Sequence, residues 1–209
     1  MVAAALALAA QRSPADITTT DLARAVDISQ GAVFKHFDSK TSIWLAVLDW
    51  TADALLGRLQ AAAQSACATG APPTDSAEGA WRALQCVFAA HVDFVVAYPA
   101  VPRIIFQELQ SPADSALKAR VQALMQCYRV LLMPLLERVM PTGDAASAPE
   151  HQAAVVLFIG AIQGLVMQAL IAGDVSVMAH QAPAVFALVA RGLGREPPGP
   201  GSEFWKGCV

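Results

Sequence analysis

At 209 residues and a formal net charge of −3, the chain is long enough for one or two packed domains and too acidic to coat nucleic acid indiscriminately. Hydrophobic residues make up 56% of it and aromatic ones 7%, and no stretch alternates apolar with polar residues between hairpin turns, so an all-α protein is expected. Cys67, Cys86, Cys127 and Cys208 are scattered and form neither a CxxC pair nor a Cys/His ligand set, which points to reduced thiols with no zinc site and no disulfide framework.

Residues 2–10, VAAALALAA, are apolar and short like the core of a secretion signal, but no cation precedes them, and they read as a first helix. Thr18 follows with Asp21 three residues on, the spacing of a capping box, and a helix is expected from about 19 to 26. Asp27-Ile28-Ser29 breaks the pattern: Ile28 is placed to turn inward, and Ser29 suits the N-cap of a second helix, Gln30 to Phe37. Val33 and Phe37 share one face of that helix and should meet Leu22, Val26 and Ile28 in a small core. The opposite face carries Gln30, Gly31, Phe34 and Lys35. Asp38 and Ser39 are candidate caps for the next helix, which runs past Leu59.

This segment resembles the DNA-binding part of the TetR family of bacterial transcriptional regulators, through Thr18, Leu22-Ala23, Ile28-Ser29, Gly31-Ala32-Val33-Phe34, His36-Phe37 and Lys40. The resemblance implies a three-helix helix-turn-helix domain whose Gln30, Gly31 and Phe34 face base edges in the major groove. It implies phosphate contacts for Thr18, Thr20, Lys35, His36 and Lys40. Ala32 and Phe34 stand where the family usually has threonine and tyrosine, so altered affinity rather than lost binding is expected. The chemistry is sensible in itself, because glutamine can bond a base edge twice and an anion is favoured at a helix start. Charge is less helpful: residues 1–60 hold five cations against six aspartates, a balance of −1, so binding would need a locally positive face and two copies of the motif.

Residues 65–75 read as a loop. Trp81, Leu84, Phe88, His91 and Val95 then repeat at helical spacing, a shorter helix covers about 101–109, and Ser111-Pro112 offers the start of another that carries Leu117, Val121, Leu124, Tyr128 and Leu131 through Pro134, where a kink is expected. Ser147 and Glu150 form a second capping box ahead of an apolar helix, and a last helix spans about 176–191. Residues 153–173 carry no charge over twenty-one positions, long enough to span a membrane, yet Gln163, Gln168, Gly160 and Gly164 favour a helix buried between its own domain and a second subunit.

The expected organisation is therefore a DNA-binding domain at 1–48, a larger C-terminal helical domain for ligand binding and dimerisation at 49–194, and a flexible tail at 195–209. Reduced thiols fit a cytoplasmic protein, and the resemblance implies a homodimer joined through its last two long helices, roughly 150–172 and 176–191. It implies a repressor released from operator DNA when a small, largely apolar effector enters the C-terminal domain. Bulky or polar residues on the stripes expected to face inward supply the candidate lining: Phe88, His91, Phe106, Met125, Tyr128, Gln163 and Met167. No nucleophile elbow, phosphate-binding glycine loop or metal-ligand motif is present, so neither catalysis nor a cofactor is expected. The competing reading is a helical membrane or adaptor protein without DNA binding.

Overall fold

A computed structural model describes residues 1–65, 75–110, 112–140 and 148–196. Among these residues the ordered elements are helical: α1 (Val2–Gln11), a 3-10 turn (Pro14–Asp16), α2 (Thr19–Ala25), α3 (Gln30–Phe34), α4 (Lys40–Ser65), α5 (Ala77–Ala97), α6 (Ala100–Leu109), α7 (Ala116–Val139), α8 (Ala148–Ala172) and α9 (Ser176–Gly192). They group into two compact units. One comprises Met1–Ala54 and Tyr98–Gln126, the other Leu55–Ala97 and the chain from Cys127 onward. This interleaved division differs from the sequential one expected at residue 48, because α1 and the 3-10 turn pack on α6 and draw that helix into the first unit.

In the first unit, Ala5, Leu6 and Ala9 form the buried stripe of α1, and α6 buries Val101 and Ile104. Ser13 starts the 3-10 turn, which sequence patterning missed, by accepting the Ala15 amide at 3.3 Å. Ile17, Leu22, Val33, Ile43, Trp44 and Val47 form the small core of the helix-turn-helix segment. Burial of such side chains stabilises by about 1.5–3 kcal/mol each, and this compensates for helices too short to persist alone. The longer α4 opens on a reciprocal pair in which the Ser42 amide donates to Ser39 Oγ and the Ser39 amide to Ser42 Oγ, both at 3.1 Å. Asp38 is therefore not the cap. Arg120 on α7 meets Asp49 on α4 at 2.9 Å.

The turn after α2 corrects the reading of Ile28. Asp27 adopts φ +55°, the left-handed conformation, while the Ile28 amide reaches back to the Ala23 carbonyl and the Asp27 amide to that of Arg24. These paired bonds form a Schellman ending. The reversal leaves Ile28 42% exposed instead of inside the core. An L-residue with a side chain pays about 1–2 kcal/mol in this conformation, whereas glycine does not, although glycine gains freedom in the unfolded chain. Asp27→Gly should consequently raise stability by roughly 0.5 kcal/mol in urea melts, and an unchanged midpoint would show that the aspartate is not strained there.

In the second unit α5 is a core helix: Trp81, Leu84, Phe88 and Val95 are buried as its periodicity indicated, and Ala80, Ala83, Val87 and Val92 are buried too. Phe186 of α9 stacks on Trp81 at 5.2 Å between ring centres, and Phe88 stands edge-on to both Phe158 of α8 and Phe186. The tail end of α9 is held by Arg195, whose guanidinium donates to the Ala77 and Val139 carbonyls. Both α5 and α8 are long and apolar enough to cross a membrane, but α5 is enclosed by its own unit. Helix α7 continues through Pro134, and Ser115 rather than Pro112 begins it by accepting the Lys118 amide. Cys86 is disulfide-bonded, which corrects the expectation that every thiol stays reduced. The expected caps Ser111 and Ser147, most of the 65–75 loop and the tail from residue 197 lie outside the described residues.

Candidate nucleic-acid interface

Helix α2 is launched by a complete capping box. The Asp21 amide donates to Thr18 Oγ1 at 3.1 Å, and Asp21 Oδ2 accepts the Thr18 amide at 2.9 Å and the Thr18 hydroxyl at 2.7 Å. Those Thr18 bonds, with Arg12 at 3.1 Å from the same oxygen, hold the Asp21 carboxyl down at about 2. Thr18 thus spends both its hydroxyl and its amide on the helix start. Thr20 stands exposed beside it.

Helix α3 begins where Ser29 Oγ accepts the Ala32 amide at 3.1 Å. It ends at Phe34, three residues short of the expected Phe37, with Lys35 as its C-cap; the His36 and Phe37 amides both fold back to the Val33 carbonyl. One wall, Val33, is fully inside. The other wall is open: Gln30, Gly31, Phe34, Lys35 and His36 are exposed, Phe34 to 46%.

Gln30 does not hang free, because its Nε2 donates to Thr19 Oγ1 of α2 at 2.9 Å. That bond engages the side-chain NH2, and the amide's carbonyl oxygen can only accept. Thr19 is the positioning residue that sequence reasoning missed; the only available signal was the run of three threonines ahead of Asp21. Lys40, at the first position of α4, donates from Nζ to the Ala15 carbonyl at 2.8 Å and is only half-exposed. Its ammonium would leave that carbonyl to reach a phosphate. Asp27 and Asp38 are exposed at either end of α3, so Lys35 and Lys40 share this surface with two carboxylates.

The seven candidate ligand-lining residues separate. His91 Nδ1 and the Tyr128 hydroxyl are hydrogen-bonded at 3.0 Å, and Phe88 lies one turn before His91 on α5. Burial depresses the His91 pKa to about 4 and pushes the Tyr128 phenol up. Phe106 and Met125 are half-buried members of the other compact unit. Gln163 and Met167 do not face inward at all: both are exposed on α8, whose buried stripe is instead Val155, Phe158, Ile162, Leu165 and Ala169. Around Gln163 and Met167 the outer face of α8 displays Val156, Leu157 and Ile171, and α9 adds Leu188 at 62% exposure.

Residues 1–47 match the family model described as bacterial regulatory proteins, tetR family. The likeness to that family is thus carried by the N-terminal helices. Similar proteins include the nucleoid occlusion factor SlmA of Glaesserella parasuis serovar 5 (strain SH0165), 26% identical over 121 residues that cover 58% of this chain and 54% of that protein. SlmA of Actinobacillus pleuropneumoniae serotype 5b (strain L20) is 28% identical over 105 residues, 50% of this chain and 46% of that protein. The matched region thus spans about half the length of these relatives. Among solved structures, the transcriptional regulator FadR from Bacillus subtilis, in complex with stearoyl-CoA, superposes with a TM-score of 0.71 over 90% of this chain and 95% of that one, at 13% identity. The fatty acid degradation regulator FadR from Bacillus halodurans gives 0.71 over 92% of both chains at 15% identity. At those identities the likeness is one of fold alone.

Proposed function

We propose that this protein is a repressor that occupies operator DNA as a homodimer and leaves it when a small, largely apolar molecule enters the C-terminal helical domain. The observation that carries the DNA half is the open wall of α3, where Gln30, Gly31 and Phe34 are exposed while Val33 anchors the helix from behind. Gln30, steadied by Thr19, supplies a base-edge acceptor, Phe34 an apolar surface for a thymine methyl, and Gly31 room for close approach. Thr20, Lys35, His36 and Lys40 serve the phosphates, and Thr18 serves by building the helix start.

The dimer reading is supported by the exposed apolar outer face of α8 and α9, where Gly160 and Gly164 meet nothing within 4 Å of an added Cβ and leave space for a close helix. A second subunit accounts for that face better than a membrane does, because Gln163 and Gln168 lie exposed within it. The ligand half is supported by the His91–Tyr128 pair beside Phe88, a polar couple within an apolar surround. The FadR of Bacillus subtilis, of the same fold, was solved with stearoyl-CoA, and an acyl chain is accordingly a reasonable first effector to try. Such a protein works in the cytoplasm.

Gel retardation with DNA from upstream of the protein's own gene, repeated over a range of salt, tests the DNA half. Affinity should fall steeply with salt, Lys35→Ala should lower the slope by about 1 for every DNA tried, and Gln30→Ala should cost about 1–3 kcal/mol on the preferred site alone. Equal retardation of unrelated DNA by wild type and Gln30→Ala would remove α3 as the reader.

A further inference from the structure

A recess of about 170 Å³ lies within the first unit, and the proposed operator and effector sites leave it unexplained. Its apolar lining is made by Trp44 and Leu48 of α4, Ile104 of α6 and Leu117 of α7. Two charged residues share that lining, Lys40 of α4 and Glu108 of α6. A closed cavity of ~150 Å³ holds benzene, so this recess has the volume for a branched side chain of four or five carbons.

The state of these two charges narrows the ligand. Lys40 Nζ is bonded to the Ala15 carbonyl, and the Glu108 carboxylate accepts the Ser115 hydroxyl. Each ion is steadied by a neutral group, so neither charge is cancelled. A fatty acid would satisfy Lys40 and oppose Glu108; an amine would satisfy Glu108 and oppose Lys40. A molecule that carries both charges on one carbon answers both. We propose that this recess binds a free α-amino acid with an aliphatic side chain, its carboxylate on Lys40, its ammonium on Glu108 and its side chain against Trp44, Ile104 and Leu117. Occupation engages Lys40, and the amino acid therefore weakens any operator contact made by that lysine.

The test titrates L-leucine, 4-methylpentanoate and isopentylamine separately into the full-length protein and follows the Trp44 indole NH by NMR, assigned with Trp44→Phe. Leucine is expected to bind at millimolar concentration, and the acid and the amine at least about tenfold more weakly. Lys40→Met and Glu108→Gln should each weaken leucine about tenfold, while Glu108→Gln leaves 4-methylpentanoate unchanged or tighter. Ile104→Trp, which fills the recess, should abolish the shift, with thermal melts confirming that each variant folds. If the three compounds shift Trp44 alike, if leucine leaves it unmoved at tens of millimolar, or if folded Ile104→Trp binds as well as wild type, the proposal is wrong.

Discussion

Replacing Val156 and Leu188 together with arginine is expected to convert the protein to a monomer and to cost roughly 10²–10⁴-fold in operator affinity. Val156 is 57% and Leu188 62% exposed, on α8 and α9, so two new cations there stay in water and disturb little packing within the subunit. Against a second copy of the same face they bring four like charges into an apolar contact, where each unpaired charge costs several kcal/mol. Under the proposed function operator affinity follows, because two α3 helices would have to reach major grooves about 34 Å apart. Once one helix is seated, the second binds at the high effective concentration that the dimer provides. Sedimentation gives the oligomeric state and fluorescence anisotropy the affinity. A variant that remains dimeric would place the interface elsewhere, and a monomer that binds as tightly as wild type would show that pairing is not needed.

Acid should destabilise the second unit through His91. The native ring is held neutral with a pKa near 4, below the ordinary 6.5, because burial strips water from the imidazolium; its Nδ1 meets the Tyr128 hydroxyl. Between those two values the unfolded chain takes up a proton that the native state refuses, so the sign is fixed: stability is full above about pH 6.5, declines as pH falls, and levels off below about 4. The shift corresponds to about 3 kcal/mol over the whole window. Urea melts at a series of pH values should show this decline, and His91→Gln, which keeps a hydrogen-bonding group but cannot titrate, should lack it. An equal slope in the variant would assign the acid sensitivity to other groups.

The helix-turn-helix segment was the most legible part of the chain because its signals are local. Thr18 with Asp21, and Ser29 ahead of Ala32, are caps that act within three residues, and each forms the expected bond. Ile28 was misread since its direction depends on the left-handed turn at Asp27, which composition permits but does not require. Gln163 and Met167 were misread for a different reason. Helix α8 is apolar on nearly every side, and periodicity then gives no information about which stripe is inside; contact with α5 and α9 decides it. The Gln30–Thr19 bond spans two helices, and the recess walled by α4, α6 and α7 brings together residues more than seventy positions apart, so neither had any local trace. The likeness in fold to the FadR structures extends over the C-terminal helices, where the sequence offered only spacing.

Asp27 and Asp38 flank α3, and together with the other aspartates they leave the first sixty residues without excess positive charge. A surface so poorly supplied with cations has little hold on arbitrary duplex, since indiscriminate attachment is driven almost wholly by counterion release. Few molecules would then be stranded along the chromosome, and a small cellular pool would suffice to keep a single control region filled.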